Sequence, residues 1–223
     1  MYHTHNIEIE KQYDLICDEF DGSRNRIWES VQKFIKSNSN HIKRKTLLDV
    51  GIGNGKNTIF AQQNNFDCIG TDISTNLIQI CKNKGICNVY KKDVLELNPN
   101  DFGKFDCIIC IAVIHHLENI EDQKNAIKNM INCLNENGKI LISVWSYEIL
   151  NDNEKSKNDY RNFQIGPNNV VWNSKNKNFV VNRFYYIHNI DSFHQMFKDI
   201  QKEMNITYII KWEKQNWFCE ISL

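Results

Sequence analysis

The chain has 223 residues, enough for one α/β domain with a sizeable core and short for two. Its 27 basic residues balance its 27 acidic ones, so no global attraction to polyanions or acidic membranes is expected. The opening MYHTHNIEIEKQ is polar, unlike a signal peptide, and the longest apolar run, Cys107 to Ile114, is too short to span a bilayer.

The first helix is expected over residues 7–20, with Tyr13, Ile16, Cys17 and Phe20 at helical spacing. A turn at Asp21-Gly22-Ser23 leads to a second helix over 24–37, which would carry Ile27, Trp28, Val31, Phe34 and Ile35 on one face. TLLDVGIGNG then reads as a buried strand ending in a glycine turn. Beyond it the pattern alternates: helix 56–64, strand 67–71, helix 75–84, strands 87–91 and 105–113, helix 119–135, strand 139–145. Asn137-Gly138 reads as the stop of the last helix. Such alternation implies a parallel sheet with right-handed crossovers. Residues 151–180 are polar and lack clear periodicity, and read as an ordered insertion or a mobile loop. After them come an extended segment at 181–188, a helix at 190–203, and a terminal hairpin from TYIIKW and NWFCEISL.

Eight cysteines at scattered spacings suggest reduced thiols in the cytoplasm, or in the nucleus that shares its redox state. Cys107 and Cys110 form a CxxC, but residues three apart on a strand face opposite ways, so they read as core cysteines and no metal site is expected.

Chemistry concentrates at strand ends. LLDVGIGNG, residues 47–55, puts Asp49 at the end of the first strand and Gly51, Gly53 and Gly55 in the turn, where backbone can approach a ligand closely. Asp72 ends the second strand, where an acid can accept both ribose hydroxyls. Asp93 ends the third, where it can accept from an adenine amino group. IAVIHHL closes the fourth with His115 and His116, whose side chains are open to three roles: metal ligand, base or core.

This constellation resembles the class I S-adenosylmethionine-dependent methyltransferases over about residues 45–146. The resemblance implies a Rossmann-like α/β fold with a mostly parallel seven-stranded sheet, helices on both faces and a C-terminal antiparallel hairpin. It implies S-adenosylmethionine as cofactor, held by the glycine turn with Asp49 and Asn54. Asp72, Ile73, Asp93, Val94 and Ile111 at the following strand ends would complete that site. The whole chain would form a single methyltransferase domain: N-terminal helices at 1–40, the cofactor core at 45–146, and a substrate-side insertion and hairpin at 147–223.

The flanks are similar to the tRNA wobble-uridine carboxyl methyltransferases, which esterify a carboxymethyl group on the nucleoside. Ser23-Arg24 and Arg26 with Trp28 match one element of that family. Arg183-Phe184-Tyr185-Tyr186 approximates another, and Asn216-Trp217-Phe218 matches the terminal one. Two departures are Asn25, where the family usually has an aromatic, and Val171, where it has a proline before the tryptophan that is Trp172 here. The resemblance implies a tRNA anticodon loop as substrate and a small zinc-containing activator subunit as partner. A class I methyltransferase for a small-molecule or protein acceptor, and a non-catalytic module of the same fold, are the competing readings.

A carboxylate acceptor is already ionised at neutral pH and needs no base. It needs placement and cationic donors, for which arginine's planar fork is suited. Arg24, with Arg26, is the expected contact for the acceptor carboxylate or flanking phosphates. Trp145, Trp172, Arg183 and Tyr185 are candidates for the substrate wall. His116 is expected to orient or neutralise the acceptor, with His115 lining the cofactor pocket or packing behind it. That division follows from adjacent strand residues facing opposite ways.

Overall fold

Leu47 and Leu48 are neighbours in sequence, both fully buried, and they enter different cores. Both belong to β1 (Lys45–Val50), which is covered on its two faces, so its residues are apolar without alternation. In the computed structural model, which describes residues 2–148, 163–174 and 179–223, the same split recurs on β4 (Phe105–Ile111). There Cys107 joins the Leu47 side and Cys110 the Leu48 side. Burial pushes both thiols well up, Cys107 to about 12 and Cys110 further, which keeps them protonated.

The first core is closed by α2 (Glu29–Asn38) and α3 (Lys56–Gln63), through Val31, Phe34, Ile35 and Ala61. The second is closed by α6 (Ile120–Asn132) and α7 (Ile190–Glu203), through Ile127, Met130, Phe193 and Phe197. Each such fully buried side chain contributes roughly 1.5–3 kcal/mol relative to exposure. The main sheet also contains β2 (Phe66–Asp72), β3 (Val89–Lys91), β5 (Leu134–Trp145), β8 (Thr207–Glu213) and β9 (Asn216–Ser222). Its order is β3-β2-β1-β4-β5-β9-β8. Only β9 runs against the rest, because it pairs antiparallel with both β5 and β8. The chain winds outward from β1 in one direction and from β4 in the other. The crevice beyond their carboxyl ends is therefore the place where a ligand can enter the sheet. Remaining elements are α1 (Tyr2–Ser23), α4 (Thr75–Asn83), the short α5 (Pro99–Phe102), β6 (Gly166–Asn173) and β7 (Val180–Ile187).

Three local expectations are corrected, and one open alternative is decided. The second helix begins at Glu29 rather than residue 24, because the Glu213 carboxylate accepts from the backbone N–H groups of Glu29 and Ser30, each at 2.9 Å. That capping group lies at the far end of the chain, so residues 24–28 become a non-helical connector. Helix α6 ends at Asn132, and Asn137, at φ 61°, lies within β5 where its pairing with β4 shifts register; Asn137-Gly138 is thus an irregularity of a strand. Within 151–180, read as an ordered insertion or a mobile loop, residues 166–173 take the ordered alternative: they form β6, which pairs antiparallel with β7 as a separate two-stranded sheet. Its exposed edge residues, Asn169 and Val171 among them, hide the alternation of a half-buried strand. The remainder of the 151–180 insertion, 151–162 and 175–178, lies outside the described residues. Finally, β4 ends at Ile111 and Ala112 takes φ 60°, so Ile114–His116 is a tight 3-10 turn instead of a strand end.

Candidate active site

A cavity of about 420 Å³ opens at the carboxyl ends of β1, β2, β3 and β4. Its floor is the glycine turn. At Gly51, with φ 68°, an added Cβ would stand 2.2 Å from the Val113 side chain, so no other residue fits there. The turn is tied down by Asp72, whose carboxylate accepts from Gly53 N–H and Ser74 N–H, both at 2.9 Å. Burial nonetheless pushes Asp72 up to about 6. Asp72, Ile73, Asp93, Val94 and Ile111 all line the cavity. Asp93 accepts from Leu95 N–H at 2.9 Å, and the Asn6 amide of α1 donates to its other oxygen. Asn54, also at the wall, points its amide away from the cavity's centre, toward Asp21 Oδ1 at 3.1 Å and the Arg24 carbonyl at 3.2 Å. It ties the glycine turn to the 24–28 connector. Asp49 is 1% exposed and accepts from the Thr58 hydroxyl at 2.7 Å; burial pushes it up to about 7. It braces the turn from behind instead of facing the cavity.

The second half of the cavity is aromatic and cationic. Arg183, on β7, is 3% exposed. One guanidinium nitrogen donates to the Tyr185 hydroxyl at 2.8 Å, and the group lies 4.9 Å from the Trp172 ring and 5.2 Å from the Tyr185 ring. Its Nε has no hydrogen-bond partner, and no carboxylate among the described residues pairs with it. Trp145 stacks on Tyr185 at 4.3 Å with 26° between the planes. Trp172 flanks this wall, donating from Nε1 to Glu19 at 3.2 Å. The Arg24 guanidinium lies 5.8 Å from the same indole and 5.7 Å from Phe20. Arg26 is exposed at the mouth, beside Lys214 at the tip of the β8–β9 hairpin.

The histidines are resolved by hydrogen bonding. His116 lines the cavity, its Nδ1–H donates to the Phe184 carbonyl at 2.8 Å, and its Nε2 receives the Tyr13 hydroxyl at 2.8 Å. Burial, with the Arg183 charge nearby, pushes it down to about 3. With both nitrogens hydrogen-bonded, the His116 ring is held fixed in the cavity wall. His115 is fully buried, and its Nδ1 accepts from Trp145 N–H at 3.1 Å. Desolvation holds it well below the usual imidazole range. It fixes the strand that carries Trp145 and does not reach the cavity. The rings are 4.7 Å apart at 88°, a geometry set by the 3-10 turn.

Tyr13, Lys56 and Asn57 also line the cavity and were not singled out from the sequence as site residues. Tyr13 signals only a helix face, and Lys56-Asn57 only the start of α3.

Among known proteins, the family model described as a methyltransferase domain matches residues 23–204. A Xenopus tropicalis protein named tRNA (carboxymethyluridine(34)-5-O)-methyltransferase alkbh8 is 35% identical over 149 residues, covering 67% of this chain and 23% of its own length. A protein of that enzyme name from Arabidopsis thaliana is 37% identical over 147 residues, 63% of this chain and 34% of that one. Another, from Schizosaccharomyces pombe, is 32% identical over 167 residues, 74% of this chain and 66% of that one. The chain thus spans under two thirds of each of these relatives. A solved S-adenosylmethionine-dependent methyltransferase from Clostridium acetobutylicum superposes with a TM-score of 0.66 at 16% identity, covering 95% of this chain and 98% of that one. That likeness concerns the fold.

Proposed function

We propose, for a chain that belongs to the methyltransferase-domain family, that it transfers the methyl group of S-adenosylmethionine to the carboxylate of a carboxymethylated wobble uridine in tRNA. The observation that carries this reading is Arg183, a buried guanidinium paired with no carboxylate among the described residues, at the wall of the cavity. Relatives named for carboxymethyluridine methylation support the choice of acceptor.

The cavity fits the cofactor. Asp72 and Asp93 close the ends of adjacent strands, each with an oxygen lone pair free for a hydroxyl or amino donor beyond its backbone bonds. Ile73 and Val94 supply apolar walls for a purine. When bound, the cofactor supplies an electrophilic methyl on a positively charged sulfur.

The protein's task is then placement. Arg183 presents its free Nε–H to an acceptor carboxylate, and a charge-assisted fork fixes both position and direction. The Tyr185 hydroxyl, receiving Arg183, keeps the guanidinium from swinging. Trp145 and Tyr185 form a stacked face suited to an extruded base. Holding carboxylate and methyl in line can supply on the order of 7–11 kcal/mol of the barrier. No side chain needs to take a proton, because the attacking oxygen is ionised already. Arg26 and Lys214, at the mouth, would meet flanking phosphates.

A small zinc-containing activator subunit belongs to the same proposal, docked at a free edge of the sheet. The two edge strands carry exposed apolar side chains, Tyr90 on β3 and Ile209 on β8. The test is nucleoside mass spectrometry of tRNA bearing carboxymethyluridine, incubated with cofactor, with and without such a subunit. Appearance of the methyl ester supports the reading. Its absence under both conditions, with cofactor binding demonstrated, contradicts it.

A further inference from the structure

The tip of the β8–β9 hairpin reaches the cavity, where Lys214, Gln215 and Asn216 all line the wall. Its two turn residues hold left-handed backbone, Lys214 at φ 44° and Gln215 at φ 60°, a geometry that hairpins usually give to Asn-Gly. Asn216 secures this tip. Its side-chain N–H donates to the Lys214 carbonyl at 2.8 Å, and the same nitrogen reaches the Glu213 carbonyl at 3.5 Å. An oxygen in that place would face two acceptors, so the orientation of the amide is fixed. In the β5–β9 register Asn216 stands directly opposite Trp145, and residues so paired project on the same face of a sheet. With its nitrogen turned to the hairpin, Oδ1 is left for the cavity, beside the indole that stacks on Tyr185. The residue is 5% exposed, and no donor among the described residues reaches that oxygen. Buried polar atoms are seldom left unsatisfied, so an acceptor fixed beside a stacking face calls for a donor on the stacked ligand.

We propose that Asn216 selects the acceptor's base, its Oδ1 accepting from the ring N3–H of an extruded uracil. This rests on the acceptor reading above and adds to it a residue that recognises the nucleobase itself. The edge of uracil presents one ring N–H between two carbonyl oxygens. Cytosine presents a bare ring nitrogen at the same place. Against cytosine, the Asn216 oxygen would meet a lone pair, so the contact excludes one base as it binds the other. A freely turning amide could flip to suit either base. The Lys214 carbonyl prevents that flip, which gives the hairpin tip a part in specificity. Arg183 then holds the carboxymethyl group and Asn216 the ring edge, and the two contacts together fix the rotation of the base on the stacking face.

Steady-state kinetics on two anticodon stem-loop RNAs tests this, one carrying 5-carboxymethyluridine and the other 5-carboxymethylcytidine at the same position. The acceptor carboxylate is identical in both, and only the ring edge differs. The unmodified protein should favour the uridine RNA in kcat/KM by about tenfold or more, as expected when a buried acceptor loses its donor. Asn216→Ala should bring the two RNAs within about threefold of each other, chiefly by losing rate on the uridine RNA. S-adenosylhomocysteine affinity within about twofold of the unmodified protein's shows that the variant is folded. Should the alanine variant not fold, Asn216→Ser, whose hydroxyl can donate to the turn carbonyls in place of the amide, gives the same comparison. Equal rates on both RNAs in the unmodified protein overturn the assignment, and so does full discrimination retained in a folded variant. If the unmodified protein binds S-adenosylhomocysteine and methylates neither RNA, the acceptor reading itself falls, and this assignment with it.

Discussion

The hydroxyl of Tyr13 lies 2.8 Å from Nε2 of His116 and 3.5 Å from the hydroxyl of Tyr185. It joins the first helix to the turn after β4 and to the β6–β7 sheet. Because His116 Nδ1 already donates to the Phe184 carbonyl, its Nε2 must accept, and Tyr13 must donate. Tyr13 is thus a positioning residue for the wall that holds Arg183. Tyr13→Phe leaves a buried acceptor unpaired, a cost of about 1–3 kcal/mol. The acceptor KM should rise by about fivefold or more while kcat changes less. An unchanged KM on steady-state kinetics would assign Tyr13 to packing alone.

Arg183 gives up stability for function. A buried charge without a counterion is costly, and replacing it with an apolar side chain of similar size is often neutral or stabilising. Arg183→Met should therefore leave the melting temperature unchanged or raise it, while abolishing most activity. Differential scanning calorimetry decides: a marked fall in Tm would mean that the guanidinium has a structural anion of its own.

The cap on α2 is tertiary. Glu213→Ala removes the acceptor for two N–H groups at the start of that helix. Loss of such a cap costs about 0.5–2 kcal/mol, and a chain of this length loses about 2–4 °C of Tm per kcal/mol. The 24–28 connector hangs from the same helix start, so thermal denaturation should show the loss and cofactor affinity should fall with it.

Burial sets the pH response of Asp72. Its carboxyl is pushed from a usual value of 3.8 up to about 6, so between these values the folded chain holds a proton that the unfolded chain has lost. Its stabilising contribution is fully present below pH 3.8 and is lost as pH rises through about 6. Cofactor affinity runs the other way, because ribose hydroxyls need an ionised acceptor. Binding of S-adenosylhomocysteine should weaken by up to about tenfold per pH unit below pH 6 and level off above it. In Asp72→Asn the affinity should be weak and flat across that range when titrated at several pH values.

What was legible in the sequence follows from locality. Strands β1 and β4 are buried on both faces, so they stand out as unbroken apolar runs. The glycine turn and the acids after β2 and β3 follow directly from strand ends. The start of α2 was not legible, since Glu213 supplies its cap from the opposite end of the chain. The histidines were placed on a strand because Ala112, which lacks the usual glycine signature, turns the chain with a positive φ. The aromatic and arginine wall draws Phe20, Arg24, Trp145, Trp172, Arg183 and Tyr185 from separate elements. Family motifs named most of them, but their arrangement in space, with two guanidiniums near the Trp172 indole, exists only after folding.

The central claim is that Arg183 holds the acceptor carboxylate. Its most direct test is kcat/KM for methyl-ester formation on carboxymethyluridine tRNA, measured for the unmodified protein and Arg183→Met alongside S-adenosylhomocysteine affinity. A fall of about tenfold or more in kcat/KM with cofactor affinity unchanged is the expected result, matching loss of about 1.5–3 kcal/mol from a charged hydrogen bond. Undiminished kcat/KM in Arg183→Met would contradict it.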